Sequence, residues 1–198
     1  MKNILLSILF INFWFSLYSQ ETSNKKMNFE TDFLWRDING WFKKTESIDY
    51  NSKLIKNLKT KKGVFMHIPK DYQIVAGNKG IYMEVYLFNF TKDTIKIPRI
   101  DATIGNLETK VEKDKKWETL HKTFSASCGN SYWTMELPPN QYILFHSNTI
   151  SYPNGDIEVE MKIQLETKYL IIESNLVKIK TYKGLYERLG IPIKVNSF

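Results

Sequence analysis

The chain has 198 residues and a formal net charge of +7. Hydrophobic residues make up 42% of it and aromatic residues 14%, which excludes wholesale disorder and suffices for one domain with a core of useful size. The only cysteine, Cys128, excludes an internal disulfide, so packing must hold the fold together. We expect its thiol to be small, buried and inert.

The first twenty residues have the pattern of a secretory signal peptide. Lys2 precedes an apolar run from Ile4 to Tyr18, and polarity begins at Ser19-Gln20. The run is shorter than the roughly 20 apolar residues that a membrane-spanning helix needs. We therefore expect cleavage after Ser19 and a periplasmic or secreted protein without a transmembrane span. An uncleaved membrane anchor is the alternative, because Leu17 is larger than the residue usual at that position.

Residues 20–63 are expected to form a polar leader and a short helical extension. Apolar residues recur at helical spacing between 29 and 42, although Asn39-Gly40 indicates a break or bend. A second amphipathic stretch, over 49–62, predicts a helix with Leu54, Ile55 and Leu58 on one face. Gly63 follows it as a natural stop.

This extension is strongly basic. Between positions 43 and 62 there are seven lysines against Glu46 and Asp49. For an exported protein, the acidic partners to consider are lipid head groups and acidic glycans rather than nucleic acid. The predicted anion-binding residues are Lys53, Lys56, Lys59, Lys61 and Lys62. The alternative is that these lysines only solvate a helix and complement its C-terminal dipole.

From Val64 the hydrophobic period changes from about 3.6 to 2, which predicts strands. Residues 81–90 are apolar on both faces, as in a central strand, whereas 156–166 alternate as in a strand that is wet on one side. Further extended stretches are predicted at 64–68, 72–76, 94–97, 100–104, 107–112, 116–121, 132–137 and 141–146. Within the last pair, 170–181, a change of parity near Ser174-Asn175 predicts a bulge or short loop.

Many short strands without βα alternation indicate a β-sandwich with Greek-key connections. Over residues 64–181 the chain resembles secreted immunoglobulin-like β-sandwich proteins of Bacteroidetes-type bacteria. The segments that carry the resemblance are 82–95, the Leu137-Pro138-Pro139 turn, and the closing strands 156–166 and 170–181. The resemblance implies a mainly β, immunoglobulin-like antiparallel β-sandwich outside the cytoplasm, and it carries no catalytic residue across.

A short helical turn is predicted after these strands. Tyr182, Leu185, Tyr186 and Leu189 fall at i, i+3, i+4 and i+7. We expect this tail to pack on the domain; the alternative is a docking peptide. The expected organisation is a signal peptide at 1–19, the extension at 20–63, the β-sandwich domain at 64–181 and the tail at 182–198.

No recognisable catalytic or metal-binding constellation is present. The segment 125–133 resembles the Cys-Gly-Ser-Cys-Trp nucleophile segment of papain-like proteases only superficially, because its spacing differs and His146 follows too closely. His67 and His121 likewise lack the spacing of a zinc site. Residues 154–158 are typical of a hairpin turn rather than a calcium loop. We expect no cofactor, no metal and no enzymatic activity.

Aromatic residues are the best candidates for ligand binding. Five of them fall at predicted strand ends or turns, where flat rings can stack on sugars or fill partner pockets. They are Trp117, Tyr132, Trp133, Tyr142 and Tyr152. The sequence thus predicts an exported, non-enzymatic binding or scaffolding protein of the bacterial cell envelope, whose partner is an envelope protein or glycan.

Two other functions stay open at the level of sequence. A carbohydrate-binding module or weak glycoside hydrolase is the first, because a pair of carboxylates can come from any part of a chain. The candidate acids are Asp37, Asp101, Glu118 and Glu136. A proteinaceous inhibitor is the second. Exposed rings in one patch would favour glycan binding, and two facing carboxylates in a cleft would favour hydrolysis.

Overall fold

A computed structural model of the protein describes residues 40–75, 81–123, 126, 129–148, 155–187 and 189. The predicted signal peptide and leader, Asp37, Cys128 and Tyr152 lie outside the described residues. The described chain is mainly β, with its strands in two antiparallel sheets. The prediction of a mainly β, antiparallel fold is therefore confirmed.

The strands of the described residues are, in chain order, β1 (Trp41–Ser47), β2 (Val64–His67), β3 (Gln73–Val75), β4 (Ile81–Asn89), β5 (Ile95–Ile100), β6 (Thr103–Ile104), β7 (Leu107–Lys113), β8 (Lys116–Lys122), β9 (Tyr132–Leu137), β10 (Gln141–Asn148), β11 (Ile157–Glu166), β12 (Ile171–Glu173) and β13 (Val177–Thr181). Two short helices, α1 (Lys53–Lys56) and α2 (Lys183–Glu187), and a 3₁₀ turn at Gly129–Ser131 accompany them. None of the helices in the described part of the chain is long and apolar enough to cross a membrane.

The first sheet has the strand order β2-β4-β10-β1-β6-β5-β9, and β3 pairs with β4 beside β2. Its last two strands join the rest through the two-residue strand β6, where Trp41 pairs with Thr103. The second sheet has the order β12-β11-β7-β8, with β13 also paired to β11. Every one of these pairings is antiparallel.

The alternating sequence of β11 explains where the main core lies. Met161, Ile163 and Leu165 are fully buried, while the polar residues between them face outward. They belong to one buried cluster that also contains Val85 and Phe145 of the first sheet. One core therefore draws side chains from both sheets. The prediction that residues 156–166 form a strand with one buried face and one face toward solvent is confirmed by β11.

Strand β4 is central, as its apolar sequence predicts. It lies between β10 and the pair β2 and β3. Val85 and Leu87 belong to the main core, whereas Phe88 lies in a second buried cluster on the other face of the sheet, with Ile55 and Leu58. Both faces of β4 therefore carry buried residues, which is why it lacks regular polar alternation.

The prediction that Trp41 and Phe42 are helical is wrong, because these two residues begin strand β1. Of the bend expected at Asn39-Gly40, the structure describes Gly40, which has φ +78°, and a Cβ there would lie 2.9 Å from Leu107 Cδ2. A bulge between Phe42 and Lys44 shifts the register of β1 against β10. The bulge changes which face successive residues occupy, so the strand lacks a regular period of 2. The remainder of the predicted stripe, 29–39, lies outside the described residues.

The predicted helix over 49–62 is wrong in extent. Only α1 forms; the Ser52 hydroxyl accepts a hydrogen bond from the Ile55 N–H at 3.3 Å, and Asn57 ends the helix. Ile55 and Leu58 are buried against Phe88, as the apolar spacing predicts. A helix this short is unstable by itself, and closely spaced lysines disfavour its extension, so the packing of two side chains decides its length.

The predicted C-terminal helical turn is present as α2. The Tyr186 hydroxyl donates a hydrogen bond to the Glu112 carbonyl at 3.0 Å. Lys113 Nζ donates to the carbonyls of Glu187 and Leu189 at 2.8 and 2.7 Å. These contacts join α2 to β7, since Glu112 and Lys113 are the last residues of that strand.

Candidate functional site

The structure separates the four predicted aromatic ligands that it describes. Tyr132 and Trp133 are neighbours on β9, the last strand of the first sheet, and are 48% and 49% exposed. Trp117 lies on β8 of the second sheet, where Lys162 Nζ is 4.4 Å from its ring centroid. Tyr142 lies on β10 and donates a hydrogen bond to Glu46. Only Tyr132 and Trp133 therefore lie together, as exposed neighbours on one strand whose side chains point to opposite faces of the sheet.

Trp133 is held in place by a buried arginine. The Arg99 guanidinium carbon lies 4.4 Å from the ring centroid of Phe42 and 4.8 Å from that of Trp133. We call these three residues the aromatic–guanidinium stack. The Trp133 ring N–H also donates to the Asp101 carbonyl at 3.1 Å. These contacts fix the Trp133 ring while about half of the residue stays exposed, a geometry that costs little entropy when a partner binds.

Arg99 is only 4% exposed. Its Nε donates to the Thr103 carbonyl at 2.7 Å, and Nη1 contacts the Met135 sulfur at 3.1 Å. Burial lowers the pKa of its guanidinium, and no described carboxylate forms an ion pair with it. The two ring faces and the carbonyl thus replace the water that the cation loses.

The backbone of β9 is bonded on one side only. Asp101 N–H donates to the Ser131 carbonyl at 2.8 Å, so odd-numbered residues of β5 face β9. Gly105 N–H donates to the Pro98 carbonyl at 2.8 Å, so even-numbered residues of β5 face β6. Because antiparallel pairs alternate in this way, the residues of β9 opposite even positions of β5 direct their N–H and C=O groups away from β5. These residues are Tyr132, Thr134 and Glu136.

The side chains of these three residues are also exposed. No described strand pairs with the outer side of β9. Natural edge strands are commonly protected by lysine, proline or a bulge. Strand β9 contains none of these, and Glu136 is its only charged residue. It is an edge with both side chains and backbone available for contact.

The other edges of the described sheets differ from β9. Strand β8 begins and ends with lysine, and Lys122 forms an ion pair with Glu108 at 2.9 Å. On the opposite side of the fold, the two sheets are linked where the Tyr72 hydroxyl donates to the Lys178 carbonyl at 2.9 Å. Strand β9 is thus less protected than the lysine-flanked edge strand β8.

Asn89 holds the end of the β5–β9 pair at which β5 begins and β9 ends. This fully buried side chain donates to the carbonyls of Asp93 and Leu137 at 2.8 and 2.9 Å. Its carbonyl oxygen accepts from the Thr91 N–H at 3.0 Å. The start of β5 and the end of β9 are thus both attached to Asn89, the last residue of β4.

The predicted carboxylate candidates that the structure describes lie apart from one another. Glu118 lies on β8 of the second sheet, while Asp101 and Glu136 lie near opposite ends of β9. Hydrogen bonds from Lys44 and Tyr142 lower the pKa of Glu46, although a general acid requires the opposite shift. Burial, together with Glu84, raises the pKa of the neighbouring Tyr86 to about 12. Within the described residues, no group of three or more His, Cys, Asp or Glu side chains could hold a metal ion.

The five lysines predicted to bind anions are all exposed. Lys53 and Lys56 belong to α1, and the other three lie in the loop that leads to Gly63. No described carboxylate forms an ion pair with any of the five. Their charges are therefore available to solvent, as the sequence predicts, although most of the helix expected to carry them is absent.

Neither the role of Arg99 nor the edge position of β9 was predicted from the sequence. One signal was present: Ile95, Ile97 and Arg99 alternate, so Arg99 occupies a buried position of the strand, where a charge is unusual. The edge position could not be found, because strand order depends on pairings between distant segments. Comparison of the chain with protein-family models, with curated proteins and with solved structures gave no match.

Proposed function

We propose that the protein is an exported, non-enzymatic binding or scaffolding protein of the bacterial cell envelope, with an immunoglobulin-like β-sandwich fold, and that β9 is its contact surface. The single observation that carries the proposal is that Tyr132 and Trp133 are half exposed on an edge strand with an unpaired outer side. Rigid aromatic side chains are the residues that most often dominate the energy of protein contacts.

Different observations support the proposed fold and the proposed location outside the cytoplasm. Two antiparallel sheets that share one core are the arrangement a β-sandwich requires. The pattern of residues 1–20 supports export, and a periplasmic or secreted location follows from it. The partner is then an envelope protein or glycan.

Site-specific photo-crosslinking in the native cell tests the proposal. A photoreactive residue at Tyr132 is expected to give an adduct with an envelope component, identified by mass. The same residue at Lys180, which is exposed on β13 of the other sheet, serves as the control and is expected to give none. Trp133→Ala should reduce the yield at Tyr132. Equal adducts at both positions, or none at Tyr132, would refute the proposed surface.

Carbohydrate binding is the second candidate, and the Trp133 ring is the observation that favours it. Arg99 and the Asp101 carbonyl hold this ring, and half of the residue remains open to a sugar face. Binding to envelope polysaccharides in a glycan array, lost in Trp133→Ala and kept in Trp117→Ala, would select this function over protein binding.

A further inference from the structure

We propose that strand β9 pairs antiparallel with β9 of a second copy of this chain and so forms a twofold-symmetric dimer. The inference rests on the proposed function in one respect only, that β9 is the contact surface. It adds the occupant of that surface and the geometry of the contact. A scaffolding protein that pairs with itself can present two copies of its other surfaces.

The unpaired backbone groups restrict the possible registers. The β9 strand of a second copy must form hydrogen bonds with the backbone N–H and C=O groups of Tyr132, Thr134 and Glu136. The backbone groups of the odd-numbered residues of β9 already face β5. A twofold axis through Thr134 is the register that pairs this whole exposed set with itself. It places Thr134 opposite Thr134 as a hydrogen-bonded pair.

The side chains of β9 are self-complementary in this register. Tyr132 lies opposite Glu136 of the second copy, and its hydroxyl would exchange its 3.1 Å hydrogen bond to the Ala126 carbonyl for one to that carboxylate. Trp133 lies opposite Met135, and a thioether beside an aromatic ring is a favourable contact. The central pair of threonines can hydrogen-bond across the strands. No like charges are opposed, since Glu136 is the only charged residue of β9.

The size of the contact predicts that the dimer is weak. Strand β9 has six residues, and a stable interface buries about 800 Å² on each partner. Each chain also carries a formal net charge of +7, so the copies repel at low salt. We therefore expect a dimer that is present at about 100 μM protein, dissociates on dilution to about 1 μM, and is favoured by higher salt.

Sedimentation velocity with two variants of Thr134 provides the first test. Thr134→Pro removes a backbone N–H that faces away from the sheet, so the fold should tolerate the substitution. The β9 strand of the second copy then loses the hydrogen bonds at the twofold axis. Thr134→Ala keeps the N–H and is the matched control. Wild type and Thr134→Ala should form dimers, and Thr134→Pro should be monomeric with an unchanged thermal midpoint. A monomeric wild type at about 100 μM would overturn the proposal.

A charge-swap experiment tests the register and does not depend on proline. Thr134→Lys and Thr134→Glu should each be monomeric, because like charges then meet at the twofold axis. A mixture of the two should recover the dimer, and a mixture that stays monomeric would overturn this pairing. A monomeric protein that still forms the Tyr132 adduct with an envelope component would refute self-pairing and leave the proposed function standing. A dimer whose Tyr132 adduct forms only with the second copy would support self-pairing and refute the envelope partner.

Discussion

The side chain of Asn175 forms two hydrogen bonds with the backbone of Ile68. Its carbonyl oxygen accepts from the Ile68 N–H at 2.8 Å, and its amide donates to the Ile68 carbonyl at 3.0 Å. Ile68 follows β2 of the first sheet, and Asn175 lies between β12 and β13 of the second. One side chain thus joins the two sheets on the side of the fold opposite the open strand β9.

The first prediction concerns this link. Asn175→Ala should lower the free energy of unfolding by about 2 kcal/mol, because each lost hydrogen bond contributes about 1 kcal/mol. For a protein of this size the thermal midpoint should fall by roughly 4–8 °C. Asn51→Ala is the matched control, since Asn51 is exposed and its side chain has no described hydrogen bond. Calorimetry that gives both variants the same midpoint would contradict the role of Asn175.

The second prediction concerns the aromatic–guanidinium stack. Arg99→Ala should lower the free energy of unfolding by about 2–3 kcal/mol, because it leaves a cavity between two rings and an unpaired Thr103 carbonyl. Arg99→Lys should restore only part of this loss, since an ammonium group cannot stack flat between two rings. Urea unfolding measures both changes.

A neighbouring lysine provides the control for Arg99. Lys96 lies on the same strand but is exposed, so Lys96→Ala should change the unfolding free energy by less than about 0.5 kcal/mol. Because Arg99 also orients Trp133, the Arg99→Ala variant should lose the Tyr132 photo-adduct as well. An Arg99→Ala protein with wild-type stability would show that the stack contributes nothing to the fold.

Most strands between residues 64 and 181 were predictable because they have a period of 2 or a continuous apolar run, but the stretch predicted at 100–104 is divided by a turn at Asp101 between β5 and β6. Strand β1 was not predictable, since the bulge between Phe42 and Lys44 removes that period. The length of helix α1 depends on its closely spaced lysines and on the burial of Ile55 and Leu58 near Phe88, and local propensity reports only the first. For the candidate site, the exposed rings of Tyr132 and Trp133 were identified from composition and turn position. Their support by Arg99 depends on cross-strand pairing, which requires the structure.

The third prediction is a pH dependence that comes from His67. Burial lowers the pKa of this imidazole, so the folded protein favours its neutral form. The unfolded chain then binds more protons below its ordinary pKa of about 6.5. Stability should therefore be complete above about pH 6.5 and decrease as the pH falls through that value toward the lowered pKa.

His67→Gln tests this assignment. The urea midpoint of the wild type should fall between pH 7.5 and 5.5, and that of His67→Gln should fall less. Glu46 and Glu108, whose pKa values are lowered, titrate below this window and do not interfere. The same fall in both proteins would assign the pH dependence to other groups.

The last prediction concerns the five exposed lysines of α1 and the loop after it. Each lysine close to an anionic lipid surface contributes on the order of 1 kcal/mol, and the attraction fades over a Debye length of about 8 Å in physiological salt. Five together can hold the protein at such a surface weakly and reversibly. We expect the protein to sediment with anionic vesicles but not with neutral ones at low ionic strength, and to be released by salt.

Matched sets of lysine variants separate a localised anion-binding surface from general positive charge. In the first set glutamine replaces Lys53, Lys56, Lys59, Lys61 and Lys62. In the second it replaces five lysines exposed elsewhere, namely Lys70, Lys92, Lys115, Lys116 and Lys180. Both sets remove the same charge, but only the first should abolish sedimentation. Neither should lower the thermal midpoint by more than a few degrees, because no described carboxylate pairs with these residues and exposed substitutions cost little. If the two sets lose vesicle binding equally, net charge accounts for it, and if neither loses it, the lysines only solvate the α1 segment.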